Sequence, residues 1–200
     1  MGYLEGLKRY LEQQYETSVF QSAFEDRMAR YWFLHGDRVI QASVSDNQTY
    51  DVELDVEGQG KQVSPKTDIK MVCSTDDLAS VRSLVKTDEK VKSIKNGPII
   101  SLKDRHFIKN KTLYALMAEK QVVFFTLLEG EIIRGLIGGF TRYEITVNLK
   151  GGVPLILLRH GILDLRDKKK RCQLKAFQHV HRDWEKSGLF RSGSLPAEVD

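Results

Sequence analysis

Arg159 and His160 stand side by side between two short apolar runs, 153–158 and 162–165. A cationic and an aromatic donor in one tight turn suit a phosphate together with a base edge. The rest of the chemical inventory is thin. The sequence contains no GxSxG, HExxH or GxxxxGK[ST], so it offers no nucleophile elbow, metalloprotease helix or phosphate loop. His179 and His181 alternate, but 174–184 carries a helical stripe of Leu174, Phe177, His181 and Trp184. On a helix, residues two apart diverge by about 200° and cannot share a metal. Cys73 and Cys172 belong to no CxxC pair, which argues against a zinc site or disulfide framework and for a reducing, cytoplasmic setting. Asp51, Glu53 and Asp55 alternate as the wet face of a half-buried strand does. Gly135, Gly138 and Gly139 precede no helix whose dipole would favour a phosphate, so their expected role is bending. The expectation is a protein without catalytic residues, cofactor or metal.

Charge narrows the partner. The net charge is only +4, but residues 1–100 carry 13 Lys+Arg against 16 Asp+Glu, while residues 101–200 carry 18 against 11. A polyanion would therefore meet the second half. The longest apolar run, 122–128, has strand length and falls far short of the roughly 18 residues of a membrane span. The N-terminal apolar pattern is interrupted by charges and does not read as a signal peptide.

The turn at Arg159-His160 needs strands to hold it, and alternation supplies them. Tyr143, Ile145, Val147 and Leu149 alternate with Glu144, Thr146 and Asn148, and Val52, Leu54 and Val56 alternate with acidic residues. Residues 121–128 are β-branched and aromatic and stop at Glu129-Gly130. The next run, 132–140, contains Gly135 as a point of sharp bending, and Lys150-Gly151-Gly152 makes the following turn. Leu113, Leu116 and Met117 form a helical face just before these five short strands. Thr75 is placed to cap a linker helix carrying Leu78, Val81 and Val85, ended by Asn96-Gly97-Pro98.

A helix followed by five short bent strands resembles the Sm-like fold and, within it, the bacterial Hfq family of RNA chaperones. The resemblance runs from Leu113-Tyr114-Ala115-Leu116 through the Gly130 turn, Gly135 and Phe140-Thr141-Arg142-Tyr143 to Leu158-Arg159-His160-Gly161-Ile162. It implies single-stranded, uridine-rich RNA bound at a pore-facing turn, with Arg159 and His160 on the turn and Tyr143 as the stacking aromatic. By position it brings Lys109 and Arg142 to places where the family has polar contacts. Tyr50, Lys66, Lys168 and Lys169 are weaker candidates for contacts to RNA. The function implied is post-transcriptional regulation or RNA chaperoning, and the alternative is an Sm-like scaffold that binds protein only.

The first half carries a diverged copy. Residues 31–37 parallel 125–131 at an offset of 94, and 50–56 parallel 143–149 at an offset of 93, with Lys66-Thr67 in the place of Arg159-His160. The expected fold is mainly β with flanking helices: two tandem Sm-like five-stranded, bent-sheet open barrels. The domains expected are an N-terminal repeat with its leading helix (1–75), a helical linker (76–106), an Hfq-like unit (107–168), and a C-terminal helix and flexible tail (169–200). Two open-edged units per chain imply a homo-oligomer, a trimer forming a six-barrel pseudo-ring.

Overall fold

The computed structural model describes residues 3–173, so the expected tail helix and its stripe from Leu174 to Trp184 lie outside the described residues. Two helices, α1 (Tyr3–Gln14) and α2 (Val19–Asp26), lead into β1 (Arg30–Leu34), β2 (Arg38–Asn47), β3 (Asp51–Val56), β4 (Gly60–Pro65), a 3-10 turn at Lys66–Asp68 and β5 (Ile69–Ser74). A linker follows with α3 (Leu78–Leu84), β6 (Lys86–Thr87) and α4 (Glu89–Lys92). The second run comprises α5 (Asn110–Ala118), β7 (Val122–Leu127), β8 (Glu131–Phe140), β9 (Glu144–Asn148), β10 (Pro154–Leu158), a 3-10 turn at Arg159–Gly161 and β11 (Ile162–Asp167).

The molecule is mainly β, with one open antiparallel sheet in the order β11-β7-β8-β9-β10-β5-β1-β2-β3-β4, and β6 pairs with β8 off this path. In each half a helix precedes a four-strand meander, and the fifth strand returns to pair with the first. The registers repeat throughout at an offset of 93. Leu34 faces Ile69 as Leu127 faces Ile162, Asp51 faces Pro65 as Glu144 faces Leu158, and Val44 faces Leu54 as Ile137 faces Val147. The bulge in β2 between Val44 and Asp46 recurs in β8 between Ile137 and Gly139. The offset of 94 expected before Gly36 is therefore corrected. Loop for loop, Gly36 corresponds to Glu129 and Asp37 to Gly130. Asp37 and Gly130 hold the same left-handed backbone, at φ 57° and 95°. The two glycines had looked like one landmark because each marks the same turn from a different position.

Two further expectations change. The strands make one continuous sheet rather than two separate barrels, because Ile156 pairs with Val72 and Leu157 with Met71 across β10 and β5. The linker is not one helix. It breaks after Leu84, where Lys86 and Thr87 pair with Ile132 and Glu131, and the Asp88 side chain then accepts from the backbone of Lys90 to start α4. Thr75 caps nothing there: α3 begins after Asp77, whose carboxylate takes the Ser74 hydroxyl at 2.7 Å.

Burial follows the alternation. Val52, Leu54 and Val56 pack under the first half and Ile145, Val147 and Leu149 under the second. Each cluster also borrows from the other half. Phe33, Met71 and Cys73 lie in the second core, and Leu158 lies in the first. Gly135 is required where β8 crosses β9, since a Cβ there would meet the Asn148 carbonyl oxygen and Val147 Cγ1 at 2.5 Å.

Candidate nucleic-acid interface

The 3-10 turn Arg159–Gly161 connects β10 to β11 and lies against β5. Gly161 passes so close to Lys70 that an added Cβ would contact its Cα at 3.5 Å. His160 places Nε2 at 2.7 Å from the Ile69 carbonyl, so the neutral ring donates through Nε2–H across the junction between the halves. Burial drives its pKa down to about 4. His160 is thus a neutral, part-buried donor holding two strands together, whereas the sequence reading gives it to a base edge.

Arg159 stays near the expected partners. Its backbone N–H donates to the Tyr143 carbonyl at 2.8 Å, its Nη2 donates to Asn110 Oδ1 at 3.0 Å, and its guanidinium lies 5.6 Å over the Phe140 ring. Nε and Nη1 are buried without a hydrogen-bond partner, and desolvation lowers the guanidinium pKa to about 10. Beside it, Tyr143 is 50 % exposed with the Arg142 guanidinium 5.5 Å over its ring. Lys109 is exposed at the extended residue that begins α5, next to the Asn110 that Arg159 holds. Lys109, Arg142, Tyr143 and Arg159 therefore gather on one end of the second half, while His160 turns inward.

The weaker candidates separate. Tyr50 is 80 % exposed at the corresponding corner of the first half. Lys66 is spent locally: it lies 5.2 Å from the Phe20 ring centroid and donates to the Gln48 carbonyl, and burial lowers its pKa. Lys168 and Lys169 are exposed in a tight turn, not a helix start, and the Asp167 carboxylate fixes that turn by accepting from the backbone of Lys169 and Arg171.

Two ionisable groups went unread in the sequence. Glu144 falls on the supposedly wet side of β9, yet it is buried; Oε1 accepts from Val19 N–H at 2.8 Å and Oε2 has no partner. Desolvation raises its pKa to about 7, against the lowering pull of the Val19 bond and Arg159. The second is Lys70, which is 2 % exposed and bonded to both Glu129 and Glu131. Burial alone would raise the Glu129 carboxyl, but Lys70 and the Gly36 N–H at 2.8 Å outweigh it and hold the pKa below the ordinary value. Asp37, Glu129 and Glu131 bring carboxylate oxygens within 4.8 Å of one another, and the Lys70 ammonium bonds the two glutamates. No local signal marks this cluster, because Lys70 lies 59 and 61 residues from the two glutamates.

Among the described residues, no helix is long and apolar enough to cross a membrane. No family model matches the chain, and neither a curated protein nor a solved structure matches it.

Proposed function

We propose that the chain is a tandem Sm-like protein that binds single-stranded RNA at the end of its second half, as a post-transcriptional regulator or RNA chaperone. One observation carries the reading: Arg142, Tyr143 and Lys109 are exposed together around Arg159. A half-exposed ring with a guanidinium on its face is a stacking platform, worth about 1–3 kcal/mol per base. Lys109 and Arg142 are exposed cations able to meet phosphates beside that ring, and the second half holds the excess of positive charge. The repeated register, with its helix, four-strand meander and returning fifth strand, supports the Sm-like assignment of both halves.

The reading includes a homo-oligomer. Copying the β10–β5 junction from one chain to the next would set Val63 of β4 against Leu165 of β11, and three chains would close a six-unit ring. That edge of β11 is occupied by the chain itself, where Gln173 N–H donates to the Leu165 carbonyl at 2.8 Å and Arg166 bridges to Cys172. Closure thus requires these residues to swing away. Light scattering at three times 22.9 kDa supports the ring, and a strict monomer overturns it.

RNA binding is tested by fluorescence anisotropy with uridine-rich and adenine-rich oligonucleotides at two salt concentrations. With Lys109, Arg142 and Arg159 on phosphates, log affinity falls with log salt at a slope of about −2. Tyr143→Ala weakens binding far more than Lys168→Ala with Lys169→Ala, and equal losses refute the site. The engagement of the half-buried Arg159 and His160 with Asn110 and the Ile69 carbonyl favours a second reading, a scaffold that binds protein only. Absence of binding at low salt selects it.

A further inference from the structure

We propose that α1 is an autoinhibitory lid on the RNA site, with Tyr10 standing in for a nucleobase over Phe140; the inference rests on the RNA-binding reading above. The Tyr10 ring lies 4.7 Å from the Phe140 ring at 39°, and 5.9 Å from Tyr114. Its hydroxyl donates to the Phe140 carbonyl at 3.0 Å and accepts from the Phe140 N–H at 2.6 Å. A flat ring packed at a tilt on an aromatic, while its polar edge gives and takes a hydrogen bond with one residue's backbone, uses the kinds of contact by which proteins hold an unstacked base. The chain then continues over the site, where the Tyr15 carbonyl accepts from Arg142 N–H at 2.9 Å. The Arg159 guanidinium lies 5.6 Å over the same Phe140 ring that Tyr10 packs against.

Two features point to a cover that can open. That guanidinium keeps Nε and Nη1 buried and unpartnered, so two strong donors lack an acceptor. A phosphate admitted by lifting α1 would satisfy both. The lid itself is lightly held. Leu7, Tyr10 and Leu11 are its partly buried contacts with the core, and its ion pairs, Lys8–Glu12 and Arg9–Glu5, stay within the helix. A twelve-residue helix is marginal on its own, so docking and folding of α1 are coupled. Ligand affinity is then reduced by the fraction of molecules in which the lid is closed.

The test uses the full chain in three forms besides the parent. Tyr10→Ala with Leu11→Ala removes the ring against Phe140 and its apolar neighbour. Gly6→Leu is an independent wedge on the same helix, since a Cβ at Gly6 would stand 2.4 Å from the Tyr114 hydroxyl. The third form adds Arg159→Ala to the first. Anisotropy with fluorescein-labelled uridine and adenine hexanucleotides is expected to show both lid variants binding about tenfold or more tighter than the parent. Arg159→Ala should abolish that gain. A parent that binds RNA, with lid variants that bind equally or more weakly, overturns the lid and leaves the site standing. A gain that survives Arg159→Ala overturns it too, because the newly exposed surface is then a different one. No binding by any form overturns the lid and the RNA reading together.

Discussion

Replacing Glu144 by glutamine isolates a single buried charge. The carboxyl is 6 % exposed, with Oε1 bonded to the Val19 N–H at 2.8 Å and Oε2 without a partner. Its pKa rises from 4.5 to about 7 on folding, chiefly through desolvation. The folded state therefore binds this proton more tightly than the unfolded state, and the penalty for ionising it is present above pH ~7 and absent below pH ~4.5. At about 1.4 kcal/mol per pKa unit, the shift corresponds to about 3 kcal/mol. The amide keeps an oxygen for Val19 but buries an unpaired N–H₂ group, a pH-independent cost of about 1–3 kcal/mol. The pH dependence is thus the clean observable. Relative to the parent, Glu144→Gln should gain about 3 kcal/mol of stability between pH ~4 and pH ~8, read from urea unfolding at a series of pH values. A difference that stays flat would show that the carboxyl is solvated in the fold. A difference of opposite sign would show that Arg159, and not desolvation, governs it.

His160 gives the complementary case. Its pKa falls from 6.5 to about 4 on folding, so stability is present above pH ~6.5 and is lost as pH falls toward 4; His160→Gln should flatten that limb of the same urea series by about 3 kcal/mol. Glu129→Ala strips Lys70 of one carboxylate and Gly36 of its acceptor, and chemical denaturation should show a loss of about 3 kcal/mol, with a smaller loss ruling out a buried ion pair at the seam. Gly135→Ala forces a Cβ into the Asn148 carbonyl, so the melting temperature should fall with a destabilisation of about 2 kcal/mol, whereas an unchanged melt would mean that β8 and β9 do not cross this tightly.

Local patterns were legible where one physical constraint acts on neighbouring residues. Ile145 and Val147 alternate with Thr146 and Asn148 because one face of β9 is dry, and Leu113 and Leu116 share a helical face for the same reason. The bend at Gly135 was legible because only a missing Cβ permits the crossing. The linker misled because Leu78, Val81 and Val85 keep helical spacing across a break that is set by a distant strand, β8. At the site, the exposure of Arg142, Tyr143 and Lys109 follows from their polar places at strand and helix ends, but the contact of His160 depends on the Ile69 carbonyl 91 residues away. Glu144 defeats alternation because the start of α2 covers the outer side of β9 and supplies the Val19 N–H. Such long-range contacts leave no mark on local periodicity.

The joint between the halves raises the question of whether either stands alone. The backbone contribution is small, with two residue pairs between β10 and β5. Side chains supply the rest. Lys70 reaches Glu129 and Glu131, His160 reaches Ile69, and the two cores exchange residues. Parting the halves would expose Phe33, Met71 and Cys73 on one side and Leu158 on the other, all at most 7 % exposed in the intact fold. Burying each large apolar side chain is worth about 1.5–3 kcal/mol, so this exchange rivals the roughly 5–15 kcal/mol net stability of a domain. Residues 1–106 or 107–200 expressed separately should therefore lack a cooperative thermal transition and bind the hydrophobic dye ANS, while the whole chain melts in one step. A cooperative melt in either half would show that the exchanged residues repack locally, and that the repeats are linked as beads rather than folded as one.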